Sequence, residues 1–177
     1  LIIYGIDPGT YESALVGIDS DYKVVEILNA PNPIIEERLE ELNPNITELA
    51  IEFVQSYGMS VGRETFITVR WVGRFERAFD DNLPDFRNKV FFYARPTIRA
   101  HICSGIVKIK DKDIRAALVM RFGDIKKGHP LEGLKNTHLR SAMAVAVTHQ
   151  DGSKLGSEDW MRLDDKDKKT KKKKKAK

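Results

Sequence analysis

Apolar residues gather early in the chain in short, nearly continuous runs. LIIYGID (1–7) is apolar and β-branched and ends at Asp7-Pro8-Gly9. SALVGID (13–19) follows, then a polar break at Ser20 and Asp21, then YKVVEILNA (22–30). Runs of this kind, separated by turn residues, predict three strands in an antiparallel meander. Prolines bracket residues 31–45, and IIEERLEEL between them predicts a short helix. TELAIEFV (47–54) predicts a buried strand, and KVFFYARP (89–96) another, ended by Pro96. Between them, residues 61–81 carry the best helical pattern of the chain. Val61, Phe66, Val69, Val72, Phe75, Ala78 and Phe79 approximate one apolar stripe. Gly73 weakens that helix by about 1 kcal/mol unless something packs tightly against it. Short helices are predicted over 97–105 and 112–123, each closed by glycine, then a polar loop over 124–136. The last helix, 137–150, has Thr137 as its N-cap and small apolar residues on its buried face. The order β-β-β-α-β-α-β-α-α-α predicts an α/β sandwich, with helices packed on a mixed sheet.

Composition narrows the class. The 177 residues are 41% apolar and 32% charged, as in a soluble globular chain. Cys103 is the one cysteine, so neither an intramolecular disulfide nor a cysteine-cluster zinc site can form. No apolar run approaches the roughly 18–20 residues of a membrane span, and no basic leader opens the chain. The expectation is a cytoplasmic protein with no membrane partner.

Charge is unevenly placed. The net charge of +4 comes from residues 164–177, which hold nine lysines and three aspartates. The remaining 163 residues carry 21 basic and 23 acidic side chains, so that body is slightly acidic. Such a lysine run cannot bury a core and is expected to be disordered. It suits either an electrostatic arm for a polyanion or a solubilising terminus.

Three signals point to chemistry. Asp7 ends a very apolar strand, where such sheets place ligands, although Asp-Pro-Gly is also ordinary turn chemistry. Glu52 lies inside LAIEFV, a costly place for a carboxylate unless it meets a cation or sits at a sheet edge. His138 and Ser141, three residues apart, share one face of the last helix. A histidine there is commonly a packed or capping residue. Converging with Asp7 and Glu52, it would complete an oxygen-rich site for Mg²⁺ or Mn²⁺.

Basic residues form a fourth signal. Arg63, Arg70, Arg74 and Arg77 lie on the 61–81 helix, the last three on one face. Arg95, Arg99, Lys108, Lys110 and Lys112 crowd the region after the last strand, and Phe53, Tyr57 and Trp71 supply aromatics. Each arginine alone reads as part of a solvated face. Together on a near-neutral body they suit phosphate contact and base stacking.

GIDPGT (5–10), AIEFVQSYG (50–58) and THLRSAMAVAVTH (137–149), in that order and spacing, resemble the RuvC family of Holliday-junction resolvases. That family belongs to the RNase H-like, or retroviral integrase, superfamily. Residues 57–75 and 110–123 look more like its bacteriophage members. The resemblance covers about residues 1–150 and leaves 151–177 as an extension ending in the lysine-rich tail. It implies an RNase H-like five-stranded mixed sheet flanked by helices. It also implies a Mg²⁺-dependent endonuclease, with Mn²⁺ as substitute, that nicks opposing strands of a four-way DNA junction as a homodimer. A phage protein would do so in the host cytoplasm. Asp7, Glu52 and His138 match catalytic, metal-binding positions of the family. Ser141 falls where bacterial members have aspartate, and serine binds a divalent ion weakly. Arg99, Lys108, Lys110 and Lys112 match phosphate-holding lysines only by region, and Phe53 or Tyr57 an aromatic that stacks at the junction centre. The 61–81 helix, with Trp71, Phe75 and Phe79, is the expected dimer element. Two other outcomes stay open: a related nuclease for other branched or flap intermediates, and a junction-binding protein that has lost an acid.

Overall fold

The computed structural model describes residues 1–54, 60–81, 89–104, 111–123 and 131–155, with backbone alone at 111, 112 and 153–155. Five strands form one mixed sheet: β1 (Ile2–Asp7), β2 (Glu12–Ile18), β3 (Val24–Pro31), β4 (Thr47–Phe53) and β5 (Val90–Ala94). Five helices accompany them: α1 (Asn32–Glu40), α2 (Arg63–Asp80), α3 (Arg95–Ile102), α4 (Asp111–Phe122) and α5 (Thr137–Leu155). This is the order the hydrophobic pattern predicts.

The sheet runs β3-β2-β1-β4-β5, so β1 is its centre. β1 pairs antiparallel with β2 and parallel with β4; β5 extends the parallel half. Both faces are covered, which is why the central strands are apolar almost throughout. Side chains alternate between two cores. Ile3, Ala14, Val16 and Ala50 face the layer of α3, α4 and α5. Tyr4, Ile6, Leu15, Leu49 and Ile51 face α1 and α2.

α5 lies directly across β1, and Gly5 permits it. A Cβ at position 5 would stand 2.1 Å from the Ala142 carbonyl oxygen and 2.9 Å from the Ala146 Cβ. The absent side chain and the alanines at 142 and 146 let helix and strand backbones touch. The far half of α5 is fixed by two polar networks. His149 is buried and bridges Glu48 on β4 (Nε2 to Oε2, 2.8 Å) and Tyr93 on β5 (Nδ1 to Oη, 2.8 Å). The carboxylate can only accept, so Nε2 carries the imidazole proton and the Tyr93 hydroxyl donates to Nδ1. Burial and the nearby Glu48 charge push Tyr93 up to about 12, so it keeps that proton. Asp151 accepts from Tyr22 (2.6 Å) and from both terminal nitrogens of Arg121 (2.6 and 2.8 Å), and meets His101 Nε2 at 2.7 Å. Burial works against its charge, but the hydrogen bonds from Arg121, Tyr22 and His101 outweigh it and hold the carboxyl far below its usual range.

Several local expectations change. Helix α5 continues past residue 150 to Leu155, because Asp151 is anchored on its inner side. Its cap is Asn136 rather than Thr137: the Asn136 Oδ1 accepts from the Leu139 amide at 2.8 Å. Pro96 does not merely end β5. It occupies the first turn of α3, where a missing N–H costs nothing. Tyr22 leaves β3 for a left-handed turn position (φ 64°), its ring under the Arg121 guanidinium. On α2 the expected stripe divides. Val72, Phe75, Ala78 and Phe79 are core, whereas Val61, Phe66 and Val69 are exposed. Phe75 and Phe79 are fully buried against the sheet and offer no surface to a second copy, contrary to expectation. Trp71 is half-buried, stacked on Phe75 and covered by Arg74.

Gly5→Ala is expected to cost about 3 kcal/mol or more, because backbone cannot retreat from the new methyl. Nothing lies within 4 Å of a Cβ at position 73, so Gly73→Ala is expected to stabilise by roughly 0.5–1 kcal/mol. Urea denaturation of both variants checks the pair. Asp151 keeps its charge to lower pH when folded than when unfolded. Its stabilisation is therefore complete above about pH 4 and lost progressively as pH falls below that. Asp151→Asn should cost about 2 kcal/mol at neutral pH and flatten the decline of stability in acid, read from denaturation midpoints across pH.

Candidate metal and nucleic-acid site

The register β1–β4 pairs Ile6 with Ile51. Asp7 and Glu52 follow, so they end neighbouring parallel strands side by side. Ile6 and Ile51 face the α2 side, which turns both carboxylates to the α5 side. Each residue is under a tenth exposed: Asp7 8%, Glu52 7%. α5 runs antiparallel to β1, with Ala146 and Ala142 over Gly5. One turn earlier, the same stripe brings His138 to Asp7. The imidazole Nδ1 lies 2.8 Å from Asp7 Oδ2. A carboxylate accepts, so Nδ1 carries the proton and Nε2 is left as an outward acceptor on a side chain that is 66% exposed. Ser141 is buried one turn further along. The N-terminal turn of α5 also favours negative charge nearby.

Arg95 completes the local charge balance. α3 begins directly after β5, and Arg95 at its first position reaches Glu52 Oε1 at 3.4 Å. Among the described residues, no three His, Cys, Asp or Glu side chains are gathered so as to hold a metal ion. The donor types nonetheless fit a hard cation: two buried carboxylates and an imidazole with a free nitrogen. Ligation requires Glu52 to exchange Arg95 for the ion.

The turn after Asp7 is held by a network the strand pattern does not announce. The Gly9 amide donates to Ser13 Oγ (3.0 Å), Ser13 donates to Asn32 Oδ1 (2.6 Å), and Asn32 Nδ2 donates back to the Gly9 carbonyl (3.0 Å). Asn32 is wholly buried at the start of α1. Its signal in the sequence is an asparagine between two prolines, which also reads as a turn.

The other expected contacts are scattered. Phe53 lies on the opposite face from Glu52, edge-on to Phe92 at 5.7 Å. Arg70 is exposed on α2. Arg74 is bound to Glu36 through Nε at 2.8 Å and lies 4.1 Å over the Trp71 ring. Arg99 is half-buried on α3. Tyr57, Lys108 and Lys110 lie outside the described residues, as does the Lys112 side chain. The structure thus joins His138 to Asp7, sets Glu52 on the neighbouring strand end with Arg95 beside it, buries Ser141 further along α5, and leaves Phe53, Arg70 and Arg74 elsewhere. Sequence reasoning placed Arg95 in a basic cluster but had no means of aiming it at Glu52.

No family model matches the sequence, and no curated protein matches it. Solved structures do. The Thermus thermophilus RuvC structure superposes with a TM-score of 0.65 at 16% identity, covering 88% of this chain and 97% of that one. T. thermophilus RuvC in complex with Holliday junction substrate gives 0.62 at 20% identity, over 88% and 96%. The fold is therefore that of RuvC, an RNase H-like mixed sheet between two helical layers.

Asn32→Ala would leave the Ser13 hydroxyl and the Gly9 carbonyl buried with a partner lost. The expected cost is about 2 kcal/mol, measurable by chemical denaturation.

Proposed function

We propose that the chain is a divalent-metal-dependent, structure-selective DNA endonuclease that resolves four-way junctions by paired nicks on opposing strands. The observation that carries this reading is the contact of His138 with Asp7 at the end of β1, beside Glu52 at the end of the neighbouring strand of a RuvC-like sheet. The similarity to a structure solved on Holliday junction substrate supports the choice of DNA.

Asp7, Glu52 and His138 would hold Mg²⁺, with Mn²⁺ as a substitute. When bound, such an ion makes water a stronger nucleophile and offsets charge on the phosphate under attack. The chain's own side chains supply the rest. Asp7 fixes the His138 tautomer, so Nε2 is the atom that would ligate or take a proton from water. Arg95, released from Glu52, stands where it can meet a phosphate oxygen. Ser141 offers only a neutral hydroxyl, so the ligand set is poorer by one carboxylate than the bacterial pattern. A homodimer would match the two-fold pseudo-symmetry of a junction and set two sites on opposing strands. Exposed Phe66 and Val69 on α2, with Val61 just before it, are apolar surface available for it. A bacteriophage origin and action in the host cytoplasm are part of the same reading.

Ser141 and the Arg95–Glu52 pair favour a second reading, a junction-binding protein with little cleavage. One experiment separates them. A labelled four-way junction is incubated with the protein in Mg²⁺ or Mn²⁺, with linear duplex as competitor. Paired nicks that fall by about 100-fold or more in Asp7→Asn and Glu52→Gln are the expected result. Tight binding without nicks in either metal would establish the second reading. Cleavage confined to flaps or three-way branches would move the activity to other intermediates.

A further inference from the structure

Glu52 and Arg95 each stand where local preference is against them. A glutamate inside an apolar strand leaves water, and Glu52 is buried. Arg95 is the first residue of α3, whose first turn holds no acidic side chain. The helix dipole favours anions at that end and disfavours cations. Two such departures at one place mark residues chosen for something other than local stability. Register explains how they meet. β4 and β5 pair Glu52 with Tyr93, and Tyr93 faces the α5 side of the sheet. Arg95 lies two residues beyond Tyr93, where the strand's alternation returns to that side. Its Nη1 reaches Glu52 Oε1 at 3.4 Å.

Other ion pairs of the chain are tighter: Arg38 meets Glu26 at 2.7 Å and Arg121 meets Asp151 at 2.6 Å. A charge-assisted hydrogen bond closes to about 2.7–2.9 Å. At 3.4 Å, Arg95 and Glu52 attract by charge more than by a formed hydrogen bond. The Arg95 side chain is 44% exposed, so it can move into water at little cost. Glu52 is the fixed partner. Its side chain is 10% exposed, and a carboxylate so buried favours a cation beside it. On the nuclease reading, Glu52 is also a metal ligand. A divalent ion on either of its oxygens and a guanidinium beside it are like charges at close range, which repel strongly where water is excluded. Ion and arginine therefore compete for one carboxylate.

We propose that Arg95 is a stand-in cation: it holds the charge of Glu52 until a divalent ion takes its place, and so sets how tightly that ion binds. This rests on Glu52 being a metal ligand. Arg95 is a positioning residue in this role, because it acts through Glu52. A charge this close moves a carboxylate's affinity for a proton by about one to three powers of ten. The same order applies to a metal ion, so removing Arg95 should tighten ion binding about tenfold.

Mn²⁺ binding to the full chain, without DNA, is followed by loss of the free-ion paramagnetic resonance signal. The wild-type chain is compared with Arg95→Gln, Arg95→Lys, Glu52→Gln and the double variant Arg95→Gln, Glu52→Gln. Arg95→Gln should bind Mn²⁺ about tenfold more tightly than the wild-type chain. Arg95→Lys keeps the charge and should stay near the wild-type affinity. Glu52→Gln should lose most of the affinity, and in its presence Arg95→Gln should gain less, as expected of two groups in contact. Thermal unfolding reads the same exchange. At equal Mn²⁺ concentration the ion should raise the midpoint of Arg95→Gln more than that of the wild-type chain. If Arg95→Gln does not fold, Arg95→Met, which keeps an unbranched stem without the charge, replaces it. A merely structural ion pair would lower the metal-free midpoint in Arg95→Gln and leave Mn²⁺ affinity equal or weaker. The stand-in role would then be wrong while the metal site stood. An equal rise in Arg95→Lys would trace the effect to packing rather than charge and overturn the role as well. If neither the wild-type chain nor Arg95→Gln binds an ion that Glu52→Gln loses, Glu52 is no ligand, and the metal reading itself falls together with the role of Arg95.

Discussion

The contact of α5 with the middle of β1 governs the architecture around the candidate site. Gly5 and the alanines at 142 and 146 allow a helix and a strand to touch backbone to backbone. A helix held off by an ordinary side chain would stand a few ångströms further from the sheet. His138 would then not reach Asp7. A packing constraint in the core, made of residues with almost no side chain, sets the distance between side chains that carry chemistry.

The same helix divides its length between stability and the candidate site. Its far half is tied down by paired groups: buried His149 between Glu48 and Tyr93, and half-buried Asp151 among Tyr22, His101 and Arg121. Its first turn is the exposed end, capped by Asn136 and carrying His138 and Arg140. His149 and Asp151 at the far end are satisfied within the protein. At the near end, among the described residues, the Nε of Arg140 has no partner. Charges the fold has paired add to stability, and charges it has left unpaired are available to ligands.

How much of this was legible follows from the range of each signal. Strand and helix order lies in local periodicity, and all ten elements appear where that periodicity puts them. Asp7, Glu52 and His138 stood out because each breaks an apolar run or recurs in a known motif. Ser13, Asn32 and Arg95 did not, because their roles depend on partners 19 to 43 residues away in sequence, across strands whose register no local pattern encodes. The α2 stripe failed for a related reason. Period alone assigns Phe66 and Phe79 to one face, but the sheet is wide enough to cover only the second half of that helix.

Charge balance links the candidate site to the rest of the chain. The body outside the tail carries more acid than base, so it does not attract DNA as a whole. Two buried carboxylates at the strand ends would add to that repulsion. Arg95 offsets one of them locally, and Ser141, being neutral, adds no third negative charge. On the nuclease reading, a strand approaching this end therefore meets less negative charge than two bare carboxylates would present. On that reading, attraction at long range would fall to the lysines of residues 164–177, whose effect is screened within about 10 Å at ordinary ionic strength. Contacts close to the site would then do the orienting, since a screened run of like charges brings a polyanion near without fixing its register.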